Sequence, residues 1–266
     1  MTYKMLVLDI DDTLLTSQHE ISETTFNRLM EFQAAGHHLV LASGRPTASM
    51  FQTAKELKLD HYNSHMISFN GAVVTALADR KEIFSQRMNV NEQQEVVQYI
   101  RDNGLTIVGY TEDGIKVDHK NSHSHIEAEL TGLPMDYDSE HFDHLDTPQL
   151  KLMGVGDPEI IKGLEAELNR SFGNETNAVT SKPYFLEFMH QLSSKGSSLL
   201  RLCDHLGIDI SEVIACGDGN NDLTMIQTAG LGVAMGNATD TLKNAADYIT
   251  ASNDEDGIVQ VINKFF

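Results

Sequence analysis

The run Met5-Leu6-Val7-Leu8 is apolar without interruption and stops at Asp9-Ile10-Asp11-Asp12. Four successive apolar side chains leave no face for water. A strand built from them must be covered on both sides, as in a parallel sheet with helices above and below. That requirement organises the N-terminal part of the chain. A helix is expected over 22–35, with Ser22 as its N-cap, Ile21 and Phe26 placed for a hydrophobic staple, and Gly36 as its stop. Leu39–Ala42 reads as the second strand, and Pro46 as the first residue of the next helix. Met66–Phe69 reads as the third strand, closed by Asn70-Gly71.

From about Ile83 to Met189 the pattern changes. Leu105–Tyr110 and Ile115–His119 flank Thr111-Glu112-Asp113-Gly114, which predicts a hairpin turning at Asp-Gly. Leu150–Val155 and Tyr184–Met189 predict further strands, and Asp157-Pro158 opens a helix running to about Phe172. Strand–helix alternation then returns, with a helix near 194–206, a strand over Val213–Cys216, a helix from Asp222 and a strand over Leu231–Met235. The expected architecture is α/β, a doubly wound, Rossmann-like parallel-sheet core over 1–82 and 190–266, with an inserted α+β cap domain over 83–189.

Charge narrows the partners. The 266 residues carry 19 Lys+Arg against 39 Asp+Glu, a formal net charge of −20. A chain so acidic is repelled by a phosphate backbone and by an anionic membrane surface, which argues against nucleic acid and membrane as partners. The insertion holds 8 bases and 19 acids and the remainder 11 and 20, so more than half of the excess lies in the insertion. Cys203 and Cys216 make no disulfide framework, and the N-terminus reads as neither leader nor span. A cytoplasmic protein is expected, with monomer and dimer both open.

The strand ends carry the chemistry. In an open α/β sheet, ligands gather at the carboxyl ends of the strands. Asp9, Asp11 and Asp12 follow the first strand, and crowded carboxylates suit a hard cation such as Mg²⁺. A solvated acidic loop is the plainer alternative. A calcium loop starting at Asp9 is disfavoured, because Leu14 stands where such a loop needs glycine. Ser43-Gly44-Arg45 follows the second strand with a hydroxyl and a backbone that can approach an anion. Lys195 lies at an expected helix N-terminus, and Gly217-Asp218-Gly219-Asn220-Asn221-Asp222 follows Val213–Cys216. Each segment alone also reads as an ordinary turn or surface residue.

In their order and their positions after strands, these four segments resemble the four motifs of the haloacid dehalogenase-like superfamily of phosphohydrolases. The large insertion resembles the type-B cap of its Cof-like sugar-phosphatase branch. Ser68–Ala72, Ala229–Ala238 and Asn253–Gly257 add local similarity to that branch. Ser43 stands where that branch commonly has threonine, and Asp12 where glycine is frequent.

The resemblance implies a Mg²⁺-dependent phosphatase for small phosphomonoesters, either sugar phosphates or phosphorylated cofactors. Asp9 would be the nucleophile that forms an aspartyl-phosphate, and Asp11 the acid and base. Asp9, Asp11 through its carbonyl, Asp218 and Asp222 would serve the metal. Ser43, Gly44, Lys195 and Asn221 would bind phosphate, with Arg45 and Asn70 as further phosphate or substrate contacts. The cap is expected to open and close about hinges near Ile83 and Met189. A phosphosugar mutase and a phospho-accepting or binding module without turnover are the alternatives. The insertion's His119, His123, His125, His141 and His144 read as exposed polar surface rather than zinc ligands, and the acidic run 135–146 as a solvated loop.

Overall fold

Met5, Leu6, Val7 and Leu8 are each fully buried, as a strand with two apolar faces requires. In the computed structural model, which describes residues 2–111, 114–171 and 176–266, the chain divides into two compact units. One comprises Met1–Phe84 and Ser194–Phe266, the other Ser85–Ser193. The strands, in chain order, are β1 (Met5–Leu8), β2 (His38–Ala42), β3 (His65–Ser68), β4 (Val73–Ala76), β5 (Lys81–Ser85), β6 (Thr106–Thr111) and β7 (Gly114–Val117). They continue with β8 (Met135–Tyr137), β9 (Leu152–Val155), β10 (Thr176–Lys182), β11 (Phe185–His190), β12 (Val213–Gly217), β13 (Leu231–Ala234) and β14 (Tyr248–Ile249).

The first unit is built on an eight-stranded sheet in the order β14-β13-β12-β1-β2-β3-β4-β5. Pairing is parallel from β14 through β3. β1 lies between β12 and β2, where successive crossovers leave in opposite directions and a crevice opens at the strand ends. This is the expected doubly wound α/β core. Ser22 caps the helix Glu23–Ala34, its Oγ accepting from Thr25 N at 3.1 Å. Pro46 is the residue before the helix Thr47–Glu56 rather than its first member, because its ψ of 146° is extended.

Among the described residues, β4, β5 and β14 of this unit and β8 and β10 of the other are strands that the sequence does not predict. β4 folds back antiparallel on β3, with Ser68 opposite Val73, and β5 extends the same sheet. The reversal is made in Phe69-Asn70-Gly71, which take φ of 50°, 52° and 97°. β5 holds the unit boundary at Phe84/Ser85, and β11 runs on to His190, so the second unit spans Ser85–Ser193 where the sequence reading placed 83–189.

That second unit has a six-stranded sheet, β10-β11-β9-β6-β7-β8, antiparallel except between β7 and β8. Side chains alternate between its faces. Ile107, Leu152 and Leu186 join one apolar cluster, with Val96, Ile100 and Ile161 from the helices Val90–Asp102 and Pro158–Ser171. Val108, Met153 and Phe185 join another. The helix Val90–Asp102, absent from the sequence reading, starts at a capping box in which Asn89 Oδ1 accepts from Glu92 N at 3.0 Å.

The hairpin strands β6 and β7 pair with Thr111 opposite Gly114. Its turn residues Glu112 and Asp113 lie outside the described residues, as does Phe172 at the expected helix end. The acidic run 135–146 is not a simple loop. It contains β8 and the helix Ser139–Asp143, which buries Phe142 and, just beyond it, Leu145. Two apolar residues among acids anchor the segment to the core of its unit.

Candidate active site

Parallel register sets the site. Leu8 pairs with Cys216 of β12 and Leu41 of β2, so Asp9, Ser43 and Asp218 leave the sheet at one edge. Asp9 N donates to Cys216 O at 3.1 Å, and Ser43 N to Ile67 O at 2.8 Å. These bonds hold the emerging backbone in line with the strands. Lys195 is the first residue of the helix Lys195–Leu206, whose N-cap Ser194 accepts from Ser197 N at 3.1 Å. The cap aims the first turn into the sheet edge, and Lys195 is 0% exposed there. Its Nζ lies 2.5 Å from Asp9 Oδ1 and 2.5 Å from Asp222 Oδ1.

Asp222 is also fully buried. Its Oδ2 accepts the backbone N–H of Asp218 at 3.0 Å and of Gly219 at 2.9 Å. The carboxyl folds back over Gly217, where a Cβ would stand 2.5 Å from Asp222 Cγ. Glycine at 217 is therefore a requirement of the carboxyl's position. Asp218 Oδ1 accepts from Thr13 Oγ1 at 2.8 Å.

The electrostatics follow from burial. Burial raises the Asp9 carboxyl well above its ordinary range, and Asp222 and Asp218 add to that rise while Lys195 opposes it. Burial, then the Asp222 charge, pushes Asp218 up to about 7, with the Thr13 hydroxyl opposing. Burial alone would lower the Lys195 ammonium, but Asp222 and Asp9 reverse this and its net shift is upward. One ammonium thus faces three carboxylates, a surplus of negative charge in a site nearly closed to water.

Such a surplus calls for a cation. Asp9, Asp218 and Asp222 can each turn a carboxylate oxygen into a group spanning no more than 4.8 Å. Three hard oxygen donors suit Mg²⁺. Among the described residues a metal-competent group of three such side chains occurs here, not at the histidines. His119 instead lies 2.9 Å from Asp118 and from Thr106, and His123 stacks on Tyr184. The Asp11 carboxylate is not in the metal-competent group. It is gripped by Arg45, with Nε at 2.8 Å from Oδ2 and Nη2 at 2.6 Å from Oδ1.

Ser43, Gly44, Asn70 and Asn221 form one connected layer. Asn70 N donates to Ser43 O at 3.0 Å, and Asn221 Nδ2 donates to Asn70 Oδ1 at 3.2 Å. The Asn70 amide lies against Gly44, where a Cβ would meet Oδ1 at 2.9 Å. Asn70 holds φ of 52°, a conformation asparagine tolerates better than most residues. The Arg45 N–H donates to Ser43 Oγ at 3.1 Å, which leaves the hydroxyl proton available to a bound anion.

Some contributors were invisible one residue at a time. Asn237 Nδ2 donates to Asp12 O at 2.7 Å, and Asn253 N donates to Asn237 Oδ1 at 3.1 Å. Asn253 Nδ2 donates to Leu15 O at 2.9 Å. Together they brace the turn after β1, where Asp12 takes φ of 60°. That left-handed conformation favours glycine, and aspartate is among the residues that accept it.

A doubly wound sheet whose central strand ends at a buried carboxylate, with a buried lysine and two further carboxylates beside it, defines an α/β protein with a charged, water-poor site at its strand ends. Comparison with known proteins gives its family. The family model of the haloacid dehalogenase-like hydrolases matches residues 6–262. The chain belongs to that family and is an enzyme of it.

A haloacid dehalogenase-like hydrolase from Bacteroides thetaiotaomicron superposes with a TM-score of 0.90 at 37% identity, covering 100% of both chains. A Streptococcus pyogenes serotype M6 protein named provisionally as a phosphatase is 31% identical over 100% of this chain and 99% of its own length. A solved sugar phosphatase of subclass IIB superposes with a TM-score of 0.83 at 25% identity, covering 98% of both chains. Among the described residues no helix is long and apolar enough to cross a membrane.

Proposed function

We propose that this enzyme is a Mg²⁺-dependent phosphatase of small phosphomonoesters, sugar phosphates before phosphorylated cofactors, acting through an aspartyl-phosphate. The observation that carries the reading is Lys195, fully buried and 2.5 Å from both Asp9 and Asp222. A phosphoryl dianion meeting a carboxylate is repelled, and phosphoryl transfer depends mainly on positioning and charge neutralisation. A buried ammonium against the attacking carboxylate supplies that neutralisation where water cannot.

Asp9, Asp218, Asp222 and the Asp11 carbonyl would hold Mg²⁺, which would offset negative charge on the phosphoryl oxygens. An Asp9 carboxylate oxygen bonds to phosphorus as the bond to the leaving oxygen breaks. Asp11 gives that oxygen its proton, then takes one from the water that cleaves the aspartyl-phosphate. The Ser43 hydroxyl, the Gly44 backbone, Lys195 and Asn221 bind the phosphoryl oxygens, and Asn70 holds Gly44 and Asn221 in place. The unit Ser85–Ser193 acts as the cap that selects substrate. Its charge of −11 over 83–189 disfavours polyanions and fits small monophosphates.

The test is phosphate release across a panel of phosphorylated metabolites, with and without Mg²⁺, by wild-type enzyme and Asp9→Asn. Wild-type turnover that needs Mg²⁺ and is abolished in the variant is the expected result. Near-native turnover by Asp9→Asn overturns the nucleophile. Accumulation of an isomeric phosphosugar, or a stable phosphoprotein without turnover, overturns the phosphatase.

A further inference from the structure

Arg45 and Asp11 are 34 residues apart in sequence and meet through both oxygens of the carboxylate. Each partner is anchored independently. The Arg45 backbone is held at both of its polar groups, its N–H on Ser43 Oγ at 3.1 Å and its carbonyl accepting from Phe69 N at 2.9 Å. Asp11 precedes Asp12, whose carbonyl is tied by Asn237. A planar guanidinium meeting a carboxylate with two parallel N–H bonds fixes orientation as well as distance. The pair is not deeply buried, with side chains 21% and 43% exposed. An ion pair so open to water adds little to stability, so its geometry calls for another explanation.

We propose that Arg45 is the positioning residue of Asp11, aiming the carboxyl that exchanges a proton with the leaving oxygen, and is not itself a phosphate ligand. The proposal rests on the reading of Asp11 as acid and base. When Asp11 carries its proton, one oxygen keeps an Arg45 bond and the other presents the O–H outward. As the Asp9–phosphorus bond forms, the electron pair of the breaking P–O bond goes to the leaving oxygen, and the Asp11 proton follows it. Without Arg45 the carboxyl turns freely, and the leaving group must depart as an anion. Esters of acidic alcohols tolerate that departure, and esters of basic alcohols do not.

The experiment uses the full chain with Mg²⁺ and a series of aryl phosphates from 2,4-dinitrophenyl phosphate to phenyl phosphate. Single-turnover rates of aspartyl-phosphate formation are measured for wild type, Arg45→Met, Arg45→Lys and Asp11→Asn. Thermal melting verifies that each variant folds. Arg45→Met is expected to lose about 10- to 100-fold on phenyl phosphate, within the usual contribution of a positioned acid. On 2,4-dinitrophenyl phosphate it is expected to lose less than about threefold, with apparent affinity for both esters unchanged within about twofold. Arg45→Lys steepens the dependence as well, because an ammonium cannot grip both oxygens.

An equal loss on both esters, or a loss of affinity with the rate retained, assigns Arg45 to phosphate and overturns the proposal. If Asp11→Asn steepens the dependence while both Arg45 variants follow wild type, the positioning role alone falls. If Asp11→Asn leaves the dependence unchanged, the acid–base reading of Asp11 falls and the proposal with it. Absence of wild-type turnover on every ester overturns the phosphatase reading.

Discussion

Lys195 Nζ stands 2.5 Å from an oxygen of Asp9 and 2.5 Å from an oxygen of Asp222, with no exposure to solvent. The three residues come from the ends of different elements, and the ammonium is the partner the two carboxylates share. Removing it leaves buried charge uncompensated. Lys195→Met is expected to cost about 3–5 kcal/mol in denaturant unfolding, the range for breaking a buried ion pair, and to abolish phosphate release. A variant as stable as wild type would show that the carboxylates find other partners.

Asp9→Asn separates activity from stability in the opposite sense. The substitution removes one of three crowded carboxylates while keeping shape. Because burial already raises the Asp9 carboxyl, unfolding at pH 8 without Mg²⁺ should be no easier in the variant, although turnover is lost. A melting temperature lower by several degrees would contradict this account of the site.

Mg²⁺ and protons compete for the same oxygens. Asp218 is pushed up to about 7 by burial and then by the Asp222 charge. A carboxyl raised in the folded state stabilises the metal-free fold below its unfolded value near 4, and that contribution is lost as pH rises to about 7. The rise in melting temperature produced by Mg²⁺ should therefore grow from pH 5 to pH 8. A constant or shrinking shift, measured by calorimetry at fixed ionic strength, would count against metal binding at Asp218.

His65 titrates in the other direction. Burial, then the neighbouring His205 and His38, lowers it to about 4, and its Nδ1 has no hydrogen-bond partner among the described residues. Its unfolded form takes a proton near 6.5 and its folded form only near 4, so stability is lost as pH falls between those values. His65→Gln should flatten that limb of the stability curve. An unchanged slope would place the acid sensitivity elsewhere.

Gly217→Ala tests the shape of the site. A Cβ at 217 would stand 2.5 Å from Asp222 Cγ, so the carboxyl must move and release Lys195 or the two backbone N–H groups. Overpacking of this kind costs about 1–3 kcal/mol. A turnover loss larger than that of Gly163→Ala, where the added methyl meets open space, is the expected comparison.

The sequence declares this core wherever a strand must be buried on both faces. Met5–Leu8, Leu39–Ala42 and Val213–Cys216 carry the pattern of strands covered on both faces in a parallel sheet, and the residues that follow each run then fall at one edge. The local pattern is weaker for β4 and β5. Val73–Ala76 carries no alternation, and Lys81–Ser85 lies partly in water. Asn70-Gly71 signals the end of β3, but the pairing of β4 on β3 and the place of β5 beside β4 are long-range contacts with no short-range signature. The helix Val90–Asp102 does have one, in Asn89 and Glu92, and that capping box is readable in retrospect.

By itself, then, the sequence determined the doubly wound core, its insertion, and the set of chemical groups that the strand ends present, because period and burial act over a few residues at a time. Only the tertiary structure decided how those groups pair. Lys195 could have faced solvent, and Arg45 an anion. Instead Lys195 bridges Asp9 and Asp222, 186 and 27 residues away, and Arg45 closes on Asp11. These choices depend on the distances and directions at which separate strands and helices end, and charge at close range in a water-poor site has no trace in local sequence.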